Sequence, residues 1–149
     1  MLTGSAQIDA ERAFTRAARA HRRAAIARRL LRREPAEGAT LPVFDARTLR
    51  RTGACAGRGV RAIPFDAIAG TLEPSRAKLF DCGFRPAPAA RSRWQRLWLA
   101  EHRGAVLPPI SVVPVGDGYA LRDGHHRVSV ALARGALTID ATVDGPLTA

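Results

Sequence analysis

The chain has 149 residues and a formal net charge of +11, with 46% hydrophobic residues. That length suits one ordinary domain with room for a single core, and the apolar content is that of a globular chain rather than a disordered one. No apolar run approaches the roughly 20 residues needed to cross a bilayer. Met1 to Ala20 lacks the apolar region of a signal peptide, and Asp9 and Glu11 break its likeness to a transit peptide, so a cytoplasmic location is expected. The positive charge invites a polyanion: nucleic acid, nucleotide or an acidic surface. Lys78 is the only lysine, so the same charge is also what an Arg- and Ala-rich coding bias gives. Cys55 and Cys82 have neither metal nor redox spacing.

Ala6 to Arg33 contains no Gly or Pro and carries nine arginines between Arg12 and Arg33. Phe14, Ala17, Ala18, His21 and Ala25 fall near one stripe, and the pattern predicts a basic helix. Its surface reads either as an arm for nucleic acid, acidic lipid or a partner, or as the solvated face of a helix packed on its own domain. The stripe is mostly alanine, which predicts weak packing. Pro35 and Gly38 end the segment. The chain thus divides into a basic arm and linker over 1–40 and a domain over 41–149.

Leu41 to Leu49 predicts a brief apolar stretch with a helical turn near Asp45. Thr52 to Gly59, TGACAGRG, is a glycine-rich connection without the Gly-Lys-Ser/Thr of a P-loop. Val60 to Phe65 alternates as a strand does, and Asp66 to Ile68 turns away from it. Gly70 to Pro88 shows no periodicity and predicts a long loop, a kind that is often functional. It holds Glu73, Ser75, Arg76, Lys78, Asp81 and Arg85. Ala90 to His102 predicts a helix that buries Trp94, Leu97 and Trp98 and stops at Gly104. Ile110 to Pro114 and Tyr119 to Leu121 predict strands joined by a Gly116-Asp117-Gly118 turn. A helix over His126 to Arg134, capped by Gly135, should bury Val128, Val130, Ala131 and Leu132. Thr138 to Val143 is a last strand.

Function is most legible at Asp123-Gly124-His125-His126-Arg127, between a strand and a helix. The first N–H groups of a helix have no partners inside it, and the helix dipole favours an anion there. Arg127 can grip two phosphate oxygens with its planar fork, and His125 and His126 add donors. Asp123 reads either as a helix cap or as a ligand for Mg²⁺. The helix stripe has no need of Arg127 for packing, so Arg127→Ala is expected to leave the unliganded fold nearly unchanged.

From Ile63 to Val143 the order of parts resembles the amino-terminal domain of ParB proteins, which shares its fold with sulfiredoxin and a free-serine kinase. The resemblance is carried by IPFDAI, by EPSR, by a helix ending in glycine, by LPPISVVPVGDGYALRDGHHRVSVALARG and by TIDATV. Further upstream, RRLLRRE, LPVFDARTLR and GRGVRAIPFDAIAGT look like a group of bacterial ParB-like proteins without an assigned role, over Phe14 to Val143. The resemblance implies an α/β (α+β) domain, a small mixed sheet with helices around it, preceded by the basic helix. It also implies a nucleotide triphosphate, ATP or CTP, held with Mg²⁺ at the turn. Gly124 and Arg127 match the Gly-Glu-Arg-Arg turn with which ParB proteins bind CTP, while His125 and His126 depart from it. Sulfiredoxin's turn is Gly-Gly-Cys-His-Arg. His125 stands where its reactive cysteine would, which excludes that chemistry, and His126 and Arg127 match.

The expected site therefore comprises Asp123, Gly124, His125, His126, Arg127 and Arg76 on phosphate. Asp123 would face the metal, and His126 and Glu73 are the candidates for phosphoryl transfer or hydrolysis. A nucleic-acid-binding or nuclease ParB-like protein is one rival, related to chromosome partitioning. A non-enzymatic nucleotide switch or protein-interaction module is the other.

Overall fold

A computed structural model describes residues 5–31, 39–47 and 59–144. The linker over 32–38, residues 52–58 of the expected glycine-rich connection (Cys55 among them) and the end of the chain past Asp144 lie outside these residues. The rest is a mixed α/β domain. Four helices, α1 (Ala6–Leu30), α2 (Pro74–Ala77), α3 (Arg91–His102) and α4 (His125–Ala133), accompany five strands: β1 (Val60–Pro64), β2 (Ile68–Thr71), β3 (Ile110–Val115), β4 (Gly118–Asp123) and β5 (Thr138–Val143). None of the described helices is long and apolar enough to cross a membrane.

The strands form one sheet in the order β1-β5-β3-β4-β2. β3 and β4 make an antiparallel hairpin in which Val115 pairs with Gly118, and Gly116 takes the left-handed φ of +53° that the two-residue turn requires. The chain then crosses through α4 and returns as β5, parallel to β3. β1 closes one edge antiparallel to β5, with Ile63 opposite Ile139. β2 lies parallel to β4 on the other side. Strand alternation sorts the side chains. Ile110, Val112 and Leu121 enter the main core, whereas Val113, Val115 and Ala120 are buried apart from it.

Two expectations change. Ile68 does not turn away after β1. A 3-10 turn at Phe65–Ala67 redirects the chain into β2, which the sequence reading missed. Leu41 to Phe44 is extended, and a turn begins near Asp45 as expected, where Arg47 N–H donates to Asp45 Oδ1 at 2.9 Å. The extended part covers the outer edge of β2, with Phe44 N–H donating to Thr71 O at 2.8 Å and Thr71 N–H to Pro42 O at 2.9 Å.

Nor is Gly70 to Pro88 a structureless loop. It contains the end of β2, α2, and a turn built on Asp81. That carboxylate is fully buried and accepts bonds from Gly83 N–H, Arg85 N–H and the Arg85 guanidinium at 2.9, 3.0 and 3.2 Å. Phe80 and Phe84 are buried on either side of it. A turn organised by a buried carboxylate leaves no hydrophobic period, so the pattern read as a loop.

Both α3 and α4 end as expected on glycines at positive φ. The paired bonds Gly104 N–H to Glu101 O and Ala105 N–H to Ala100 O recur after α4 at Gly135 and Ala136. Trp94 anchors α3 to α4, donating from Nε1 to Ser129 Oγ at 2.9 Å. Helix α1 packs more firmly than its alanine stripe suggests. Phe14 is fully buried in a T-shaped contact with Trp94, with ring centroids 5.5 Å apart, and the Arg91 guanidinium lies over its ring, 4.8 Å from the centroid. Replacing Phe14 with Leu keeps most of the apolar area but removes both ring contacts. It should lower stability by about 1–2 kcal/mol, measured by urea denaturation. An unchanged midpoint would mean that α1 does not depend on this anchor.

Candidate functional site

The hinge of the site is Gly124. It leaves β4 with φ +108° and ψ 21°, in the left-handed region, and α4 begins at the next residue. The first paired N–H of α4 is that of Val128, which donates to Gly124 O at 2.9 Å. The N–H groups of His125, His126 and Arg127 precede it and have no partner within the helix. Gly124 has no side chain with which to cap them.

Around this helix start the fold gathers a cleft of about 50 Å³ lined by Arg76, Arg93, Leu97 and the five residues Asp123 to Arg127. Arg76 comes from the last turn of α2, far from the turn in sequence, as the expected site requires. Arg93 was not foreseen. It stands four residues before Leu97, so the two share a face of α3, and Trp94 beside it ties α3 to α4. The sequence shows that face but not which helix start it covers. Glu73 does not join the cleft. It is exposed at the start of α2, where its N–H donates to Thr71 Oγ1 at 2.9 Å.

The two histidines are buried, 3% and 6% exposed. His125 meets Thr71 Oγ1 through Nε2 at 2.6 Å. That hydroxyl already accepts from Glu73 N–H and has one proton, which faces Leu121 O at 3.2 Å. Since a carbonyl only accepts, full pairing assigns the shared proton to His125 Nε2 and leaves Nδ1 unprotonated. The His126 ring stands edge-on to Phe80, with centroids 5.1 Å apart. Burial, with Arg76 next in effect, pushes His125 from 6.5 down to about 4, while Asp123 pulls the other way. Burial, then Arg93 and Arg76, bring His126 down to about 4 as well. Both rings are therefore neutral at pH 7, and the cations of the cleft are its arginines.

Comparison of the chain with protein-family models, with curated proteins and with solved structures finds no match. The chemistry of the cleft follows from its own geometry.

Arg127 is more occupied than its sequence position suggested. Nη1 donates to Pro108 O at 2.6 Å and Pro109 O at 2.8 Å, and Nη2 pairs with Asp123 Oδ2 at 2.7 Å. A cation at a helix start opposes the dipole, and these three acceptors compensate for it. The guanidinium fastens the lead-in to β3 onto the turn before α4. The expectation that Arg127→Ala is neutral therefore changes. The variant should lose about 1.5–3 kcal/mol of stability without ligand, read from denaturant midpoints. Lysine should recover only part, because a point charge cannot span three acceptors in two directions. A stable alanine variant would show that solvent replaces the clamp.

Asp123 is 70% exposed at its side chain and ion-paired to Arg127. Among the described residues, no group of three or more His, Cys, Asp or Glu side chains is arranged to hold a metal ion. Arg76 and Arg93 supply donors for an anion, and the one carboxylate of the cleft, Asp123, is paired to Arg127.

Proposed function

We propose that this chain is a ParB-like nucleotide-binding domain and that the cleft at the start of α4 receives phosphate of a nucleotide triphosphate. The observation that carries this reading is that Arg76 and Arg93, from two other helices, line one cleft with the start of α4, whose first N–H groups have no partner within the helix. Charge-assisted bonds from guanidinium to phosphate are short and strong, and the helix dipole adds to them. At about 50 Å³ the cleft takes a phosphoryl group, well below the roughly 300–1,000 Å³ of sites that enclose a drug-sized ligand. A base and sugar would lie outside it.

Binding has more support than turnover. Hydrolysis or phosphoryl transfer requires a base within hydrogen-bond reach of the attacking group. Glu73 is not among the residues that line the cleft, and the neutral His126 ring is packed on Phe80. This favours a nucleotide-responsive module over an enzyme.

Calorimetric titration with inorganic phosphate, pyrophosphate, ATP and CTP, each with and without Mg²⁺, tests the reading. Affinity should rise with the number of phosphates. The Arg76→Ala/Arg93→Ala double variant should lose about ten- to a hundredfold while its melting temperature without ligand stays near the parent's. Binding that survives in the double variant, or no binding by any of the four ligands, overturns the site.

A further inference from the structure

A second surface, away from the phosphate cleft and independent of that reading, lies along α1. A groove of about 290 Å³ runs between α1, the turn after Asp81 and the end of α4. Its floor is apolar, formed by Ala13, Ala17, Ala20, Phe84, Pro86 and Leu132, and Arg16 and Arg85 stand at its edges. Phe84 is held at a positive φ of +57°. This is a conformation that a bulky residue adopts only under constraint, and such strain gathers at ligand-facing segments. Here the constraint is the buried Asp81 turn, which places the phenyl ring and Arg85 toward α1.

The cationic edge continues along the helix through Arg12, Arg19 and Arg23, which line an adjoining hollow with Ala20, Ala24 and Ala27. Among the described residues none of Arg12, Arg16, Arg19 and Arg23 is ion-paired to a carboxylate. Farther on, Ile26, Leu30 and Leu31 are 56%, 78% and 68% exposed.

We propose that this groove docks an acidic amphipathic helix of a partner protein, with apolar anchors on the alanine and Phe84 floor and carboxylates against the arginine edge. Charge decides the occupant. A second copy of this chain, at +11, would bring arginines to arginines. A nucleic-acid backbone satisfies the arginines but has nothing to place on an apolar floor or on exposed Ile26 and Leu30. A membrane surface is too broad to enter a concave groove. An acidic helix with apolar residues at every third and fourth position meets both features, and small residues on α1 let its backbone approach closely.

The test uses the full chain and a fluorescent heptad-repeat peptide with leucine at the inward positions and glutamate elsewhere. Controls are a scrambled peptide of the same composition, duplex DNA and phosphatidylglycerol vesicles. Two variants probe the groove: Ala20→Trp fills it from a half-exposed position, and Arg16→Glu reverses one edge charge. The ordered peptide should bind and the scrambled one should not. Each variant should weaken binding by about tenfold or more while keeping the parent's circular dichroism and melting temperature. Equal binding of the scrambled peptide, or indifference to Ala20→Trp, overturns the proposal. So does DNA or vesicle binding that Ala20→Trp abolishes while peptide binding persists. A chain mass in solution that doubles in the parent and falls to the monomer in Ala20→Trp assigns the groove to a second copy instead.

Discussion

Acidification from pH 7 to pH 4 should remove several kcal/mol from the stability of this domain, most of it through His125 and His126. In the unfolded chain both titrate near 6.5, whereas in the fold each is held down to about 4. Between these values the unfolded state binds protons that the folded state refuses. Stability is therefore full above pH 6.5, falls as the pH drops through the window, and levels off below about 4. Moving one group from 6.5 to about 4 corresponds to about 3 kcal/mol as an upper value.

The groups facing the rings are Arg76 of α2, Arg93 of α3, and Asp123 and Arg127 beside them, so only Asp123 would welcome a protonated ring. Urea denaturation at half-unit pH steps reads the effect. Replacing both histidines with glutamine should flatten the slope between pH 6.5 and 4. A parent whose stability is level from pH 7 to pH 5 would show that the rings gain solvent or a counter-charge in solution. Phosphate in the cleft supplies such a counter-charge, so it should reduce the loss, most visibly below pH 6.

How far the sequence speaks for itself differs along the chain. The five-residue turn, the hairpin, α3 and α4 were legible because each is bounded by a glycine whose backbone freedom is needed there: Gly104, Gly116, Gly124 and Gly135 all have positive φ. β2 was not legible. It has four residues, two of them Ala69 and Gly70, and no apolar alternation to announce it. Gly70 is small for a different reason, since a Cβ there would lie 2.3 Å from Pro42 O, where the extended stretch 41–44 crosses the sheet edge.

The candidate site divides in the same way. Its local half, Asp123 to Arg127, is contiguous and could be read from spacing. Its distant half depended on packing. Arg76 was foreseen among the polar groups of the Gly70 to Pro88 stretch, whereas Arg93 needed the hydrogen bond from Trp94 to Ser129 that docks α3 on α4. The clamp on Pro108 and Pro109 was invisible because a proline carbonyl carries no sequence signal of its need for a donor. It turns Arg127 from a residue free for ligand into one that also fastens the fold.

Gly124→Ala should be among the most damaging single substitutions in the domain, destabilising it by about 2–6 kcal/mol. Two separate penalties combine. The backbone sits at φ +108°, beyond the compact left-handed region that other residues can enter with strain. The added Cβ would also lie 2.5 Å from Ile110 Cγ2 and 2.9 Å from Ile110 Cβ. Ile110 is fully buried at the start of β3 and cannot retreat without disturbing the core. Relief by rotating the turn would shift the N–H groups of α4 and pull Asp123 from Arg127, so the site should fail along with stability.

The two penalties can be separated. Ile110→Ala in the Gly124→Ala background removes the closer contact, with Cγ2, but leaves the Cβ at 2.9 Å and the φ strain. If the steric part dominates, the double variant should be more stable than the sum of the two single losses implies. Chemical denaturation of all four proteins measures this, and phosphate titration of the folded fraction measures the site. A Gly124→Ala protein within about 1 kcal/mol of the parent would mean that the turn relaxes freely. The rigid presentation of helix N–H groups on which the phosphate reading depends would then be lost.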